Sequence, residues 1–264
     1  RIMFRLIHEF KIPVPLMHNK TPNRGFSGEW LTCAKVFTRE SEGARTGFVA
    51  NVFAWMFGAL IVTAVLAFLF GTNDSLKQLL FSETNITTLG WIVTLAPVGL
   101  VLLMSFGFQK LSAGALMAVF MLYAALMGAS LGFIFIAFEL GTIFLAFIIS
   151  AGMFAVMAIA GYTTKMDLTR FGNILIMALV GIVIASVVNI FLGSQMMDTV
   201  ICIVGVLVFT GLIAYDMQNI KKNAAYAMAN PETGRKMAVM SALSLYLNFI
   251  NLFLMLLRLL SSRD

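Results

Sequence analysis

The sequence predicts an all-α integral membrane protein of seven transmembrane helices. Of its 264 residues 60% are hydrophobic and only 11% are charged, with a mean hydropathy of +0.95. The apolar residues gather into seven continuous runs of 17 to 28 residues, and none of these runs contains a charge. A soluble domain carries about 25% charged residues. Eighteen basic and twelve acidic side chains cannot coat a soluble globule of this size. A soluble enzyme, a disordered chain and a disulfide scaffold are thereby excluded. Unbroken apolar runs, rather than alternating ten-residue segments, also argue against a β-barrel.

A membrane helix needs about 20 mostly apolar residues. The runs are Phe48–Phe70, Thr87–Phe108, Leu111–Phe138, Leu140–Tyr162, Phe171–Leu192, Thr199–Tyr215 and Met237–Leu257. Before them lies a basic tail, residues 1–47. Its Lys11-Ile-Pro-Val-Pro and Thr21-Pro-Asn-Arg-Gly stretches predict a largely irregular segment. It has no apolar core of the kind a signal peptide carries. His8 and His18 lie in it without metal-ligand spacing, and are read as surface residues. Residues 48–264 form the membrane domain.

Small residues recur in the spans, because membrane helices pack through them. Examples are Gly58 with Ala59 in the first, Gly128 with Gly132 in the third, and Gly205 with Gly211 in the sixth. Pro97 in the second favours a kink. Between the third and fourth spans Glu139 reads as a solvated turn residue. Asp167 and Thr169, before the fifth, read as a helix cap. The fifth span carries Ser186 and Asn189, which can add polar groups to the interior. The 18 methionines and 24 phenylalanines read as core and lipid-facing surface.

Loop charges orient the bundle. Eight Lys and Arg in the tail, with Lys110, Lys165, Arg170, Lys221, Lys222, Arg235 and Lys236, place fifteen on one side. Lys77, Arg258 and Arg263 place three on the other. The positive-inside rule then puts the amino terminus in the cytoplasm and the carboxyl terminus outside. The net charge of +6 is membrane electrostatics, and no basic groove with interleaved aromatics calls for a nucleic acid. Cys33 and Cys202 are too few and too far apart for a framework. No Walker motif, HExxH or GxSxG occurs, so neither an enzyme nor a bound cofactor is expected.

Polar residues at membrane depth are functional candidates by default. Asp216 follows Tyr215 at the end of the sixth span, and Leu212–Ile220 reads as helix continuing past it. Either it pairs with Lys221 or Lys222 at the interface, or it is a buried titratable cation ligand or gate. The seventh span supplies Ser241, Ser244, Asn248 and Asn251 at spacings of three, four and three, which share one helix face. That stripe either glues helices together or lines a site. The span is otherwise apolar all round, which predicts a central helix surrounded by the other six.

Four segments in order then resemble a known family. They are Gly161-Tyr-Thr-Thr-Lys-Met-Asp-Leu-Thr, Ala185-Ser-Val-Val-Asn-Ile-Phe, Val208-Phe-Thr-Gly-Leu-Ile-Ala-Tyr-Asp-Met-Gln-Asn-Ile-Lys and Leu245-Tyr-Leu-Asn-Phe-Ile-Asn-Leu-Phe. Residues 48–260 closely resemble the Bax inhibitor-1, or transmembrane Bax inhibitor motif, family. The resemblance implies seven helices with the last wrapped by the others, and a pH-sensitive calcium leak in some members. It implies that two aspartates, one on each of the last two helices, share a proton and clasp those helices. The first matches Asp216 and the second matches Asn248, where this sequence departs from the pattern. An amide cannot titrate, yet it can bond Asp216 in either protonation state, and its oxygen can ligate calcium.

Expected site residues are thus Asp216, Asn248 and Asn251, supported by Tyr215, Ser244 and Asn189, with calcium or protons as the ions and Asp216 as the calcium ligand. Depth adds a condition. Asp216 is five residues before Lys221 and Asn248 twelve after Lys236, a mismatch of about 10 Å. The two meet only if the sixth helix runs on past Lys222 toward Asn230. The expected function is a passive calcium-permeable channel or exchanger of a bacterial inner membrane. The alternative is a non-transporting regulator of a quality-control protease or a stress or cell-death pathway, engaging a membrane partner through the tail.

Overall fold

A computed structural model describes residues 26–80 and 87–261. Nine helices occur among the described residues. They are α1 (Phe26–Thr72), α2 (Asp74–Leu80), α3 (Thr88–Gly107), α4 (Ala113–Leu131), α5 (Ile134–Ala137), α6 (Leu140–Thr163), α7 (Thr169–Leu192), α8 (Gln195–Ala229) and α9 (Pro231–Ser261). The described residues contain no strand. Seven segments are long and apolar enough to cross a membrane, and they fall on the seven expected runs.

Two boundaries differ from the sequence expectation, and the extension expected of the sixth helix past Lys222 is present. Helix α1 begins at Phe26, so the later part of the tail is helical rather than irregular. The physical reason lies in the prolines: Pro13, Pro15 and Pro22 all precede Phe26. The following Trp30-Leu-Thr-Cys-Ala-Lys-Val-Phe-Thr-Arg-Glu stretch holds no helix breaker. Residues 1–25, with His8 and His18, lie outside the described residues. Contacts divide the chain into units 1–42 and 43–264, and all seven membrane-spanning segments lie in the second.

The third run is broken after Leu131, leaving α5 as a single turn. Gly132 sits at the break. A Cβ there would lie 2.8 Å from the Cβ of Phe70 and 3.2 Å from the Gly71 amide, so only glycine admits this approach of α1. The sixth run is longer than the apolar count, because α8 continues to Ala229. It thereby supplies the extra length that the depth of Asn248 requires.

Helix ends follow local chemistry. The Thr87, Ser112 and Ser194 side chains accept from the amides of Gly90, Ala115 and Met197 at the starts of α3, α4 and α8. Gly193 ends α7 at φ +61°, a left-handed position that favours glycine. Asn230 accepts from the Thr233 amide before Pro231 opens α9.

Helix α9 is the most enclosed. Of its most apolar stretch 61% is buried, against 6% for α7 at the periphery. It packs on α8, α6 and α4, and reaches α1 through Tyr246 and Thr63. Helix α3 packs on α4, and α7 on α8. Glycines set the closest approaches. A Cβ on Gly161 of α6 would meet the Ala214 backbone of α8, and one on Gly172 of α7 would meet the Tyr215 ring.

Candidate functional site

Asp216 lies on α8 where α8 meets α9. Ser244 and Asn248 stand one turn apart on the facing side of α9, as an i, i+4 pair must. Both donate to the same oxygen of Asp216, Oδ2. Ser244 does so through Oγ, and Asn248 through Nδ2 at 2.8 Å. Asn248 is buried. Two neutral donors therefore meet one carboxylate oxygen where the two helices face each other.

The nearby lysines are engaged elsewhere. Lys221 Nζ donates to the Tyr162 carbonyl at 2.7 Å and lies 4.8 Å from the centre of its ring. Lys222 Nζ pairs with Asp167 at 2.7 Å and donates to Thr169 Oγ1 at 3.2 Å. Among the described residues Asp216 is in no ion pair. Its partners are amide and hydroxyl, not ammonium.

The other expected site residues go to different places. Asn251 Nδ2 donates to the Leu247 carbonyl of its own helix at 2.8 Å. Tyr215 turns toward α7, with its ring against Gly172. Asn189 accepts from the Ser194 amide at 3.1 Å and closes the α7–α8 turn. Of the six candidates, Asp216, Ser244 and Asn248 are brought together.

Two polar arrangements have no counterpart among the sequence expectations. Gln218 is buried two residues beyond Asp216. Its Nε2 donates to the Met166 carbonyl at 2.7 Å, and its Oε1 accepts from the Leu168 amide at 2.9 Å. It thus grips the backbone of the α6–α7 loop from both sides. Gln218, Lys221 and Lys222 are spaced three and one, and all bond back toward that loop. The spacing was legible; the backbone acceptors were not. In the loop, Asp167 accepts from the Thr169 amide and hydroxyl in a local turn, while the N-cap position of α7 is Leu168, whose side chain makes no capping bond, so the pair does not cap the helix as expected. Hydrogen bonds from Lys222 and Thr169 hold the Asp167 carboxyl well below the usual carboxylate range.

The second arrangement lies on the opposite side of α9. Thr63 Oγ1 of α1 donates to the Ala124 carbonyl of α4 at 2.9 Å and lies 2.7 Å from the Tyr246 hydroxyl. A threonine hydroxyl has one hydrogen, so Tyr246 is the donor in the second bond. Tyr123 packs edge-on against Tyr246, with centroids 5.5 Å apart. At the far ends of α8 and α9, Arg258 and Asp198 form an exposed ion pair at 3.5 Å. No group of three or more His, Cys, Asp or Glu that could hold a metal ion occurs among the described residues.

These features define a class: a seven-span helical membrane protein with a carboxylate held between its last two helices. Residues 45–264 match the family model described as Inhibitor of apoptosis-promoting Bax1. The chain is 44% identical over 218 residues to Inner membrane protein YbhL of Escherichia coli (strain K12), covering 82% of this chain and 92% of that protein. It is 44% identical over 216 residues to a protein of Borreliella burgdorferi, with coverages of 82% and 92%. It is 37% identical over 222 residues to protein RP147 of Rickettsia prowazekii, with coverages of 84% and 92%. The chain belongs to the Bax inhibitor-1 family. It is an integral membrane protein, as its inner-membrane relative is.

Proposed function

We propose that the chain is a passive calcium-permeable leak channel or exchanger, gated where α8 meets α9 at Asp216 and Asn248. The observation that supports this is the contact itself: one carboxylate met by two neutral donors and, among the described residues, by no basic side chain. Calcium takes about six to eight oxygen ligands. The Asp216 carboxylate, the Ser244 hydroxyl and the Asn248 amide oxygen are all oxygen donors, but they carry one formal charge between them. Such a set suits an ion passing through better than one stored. In the closed contact Asn248 offers its nitrogen to Asp216, whereas a cation would need its oxygen. Cation entry and the α8–α9 bond therefore compete, which is what a gate requires. We place the amino terminus in the cytoplasm, on the strength of the fifteen basic residues on that side.

The test is calcium flux in proteoliposomes. Asp216→Asn lowers flux at least tenfold and removes its pH response. Unchanged flux with an unchanged pH response overturns the site.

Asn248 favours a second reading. With no second carboxylate the contact can stay closed at every pH, as a non-transporting regulator of a membrane protease or stress pathway would. In that case the wild type conducts no calcium, and deleting residues 1–40 abolishes capture of a membrane partner.

A further inference from the structure

Helices α1 and α6 touch at Phe53 and Phe154, whose rings meet edge-on with centroids 6.3 Å apart. Away from that contact they separate and leave a crevice of about 640 Å³. The cause is packing on either side. Gly128 draws α1 onto α4, since a Cβ there would lie 2.6 Å from the Thr63 carbonyl. Gly161 draws α6 onto α8. The floor of the crevice is Phe249, Ile250 and Phe253 of α9, and the α4–α5 break closes one end with Leu131 and Ile134.

Every lining side chain is apolar except Thr63, and its hydroxyl is already bonded to Ala124 and Tyr246. Water would find no partners there. A polar ligand would leave its own hydrogen bonds unmade. The mouth is rimmed by Phe57, Ile61, Leu140 and Phe144, all more than half exposed, so it is continuous with the surface that faces hydrocarbon. Along α1 the lining runs from Met56 to Ala67, about 17 Å at the helical rise. One leaflet of the hydrocarbon core is about 15 Å thick. The volume falls within the roughly 300–1,000 Å³ of small-ligand sites.

We propose that this crevice binds one acyl chain of a membrane phospholipid, which enters sideways between α1 and α6. The acyl chain meets the same chemistry as in the bilayer, and it fills a space that would otherwise forfeit dispersion contacts.

The test uses the full chain in phosphatidylcholine nanodiscs doped with a phospholipid bearing a mid-chain nitroxide. Ala64→Phe with Ala151→Phe fills the crevice. Ile174→Phe with Ile190→Phe places the same two aromatic rings on exposed positions of α7 instead. Electron paramagnetic resonance should count one more slowly exchanging lipid per chain in the wild type and the α7 variant than in the crevice variant. Equal counts in all three overturn the proposal. A second measurement needs no variant. A phospholipid with a mid-chain diazirine should label residues 56–67 and 140–155 of the wild type saturably. Equal, unsaturable labelling of α7 overturns the proposal.

Discussion

The side-chain nitrogen of Asn248 lies 2.8 Å from Oδ2 of Asp216, across the junction of α8 and α9. This bond does not depend on a titrating partner, because the amide is neutral at every pH. Replacing Asn248 by aspartate would set two carboxylates at the same separation. They could not both ionise without strong repulsion, so the pair would share a proton and titrate as a unit. Asn248→Asp is expected to give calcium flux a steep pH dependence near neutrality, where the wild type is flatter. Flux measured in proteoliposomes across that range decides. Flat profiles in both forms would count against the clasp geometry.

Asp167 is the acid most open to mistaken credit for any pH response, since it is exposed and bonded to Lys222. Its folded-state pKa is depressed by Lys222 and Thr169. Whatever stability it contributes is therefore present above the unfolded carboxylate value of about 3.9 and is lost only as pH falls below that. The latch between the α6–α7 loop and α8 stays charged throughout the neutral range. Asp167→Asn should leave the pH profile of flux between about pH 5 and 8 in place. A shift of its midpoint would move the sensor from α8 into the loop.

Gln218 makes two bonds to the backbone of that same loop, and it stands two residues from Asp216. Gln218→Leu keeps the volume and removes both bonds. The Leu168 amide then loses its acceptor, and its hydrogen exchange should quicken at least tenfold, equivalent to about 1.4 kcal/mol of local protection. The amides in the middle of α9 should be unaffected. Exchange followed by mass spectrometry separates these outcomes. Equal protection at Leu168 would mean that Lys221 and Lys222 hold the loop unaided.

The spans were legible because lipid leaves no freedom: each crossing must be a long apolar helix with its backbone bonds made internally. The meeting of Ser244 and Asn248 was legible as a face, since helical spacing fixes which residues stand together. Its target Asp216 was legible as a charge at depth. Gln218 and Thr63 were not legible for a common reason. Thr63 is a lone polar residue in an apolar run and Gln218 one of several polar residues past the end of another, and the partners of each include backbone groups or side chains far along the chain. Thr63 and Tyr246 are 183 residues apart. Residues 26–47 read as irregular because prolines and glycines were weighed over the whole tail, although the prolines all lie before the helix starts.

The Thr63–Tyr246 contact joins α1 to α9 on the side away from Asp216, and its donor order makes an asymmetric prediction. Tyr246→Phe removes a donor, but Thr63 keeps its bond to Ala124, so nothing buried is orphaned. The cost should be about 0.5–1 kcal/mol, in the range of buried hydrogen bonds within membranes. Thr63→Val instead strands the Tyr246 hydroxyl among apolar neighbours, with Phe120 and Tyr123 packed edge-on against its ring. An unmet buried hydroxyl costs about 1–3 kcal/mol. Thr63→Val should therefore destabilise more than Tyr246→Phe, although valine matches threonine in shape. In the double variant both partners are gone, and it should be no worse than Thr63→Val alone. Unfolding in mixed micelles, read as a double-mutant cycle, tests the order. Equal losses from the two single variants would mean that Thr63, not Tyr246, supplies the shared proton.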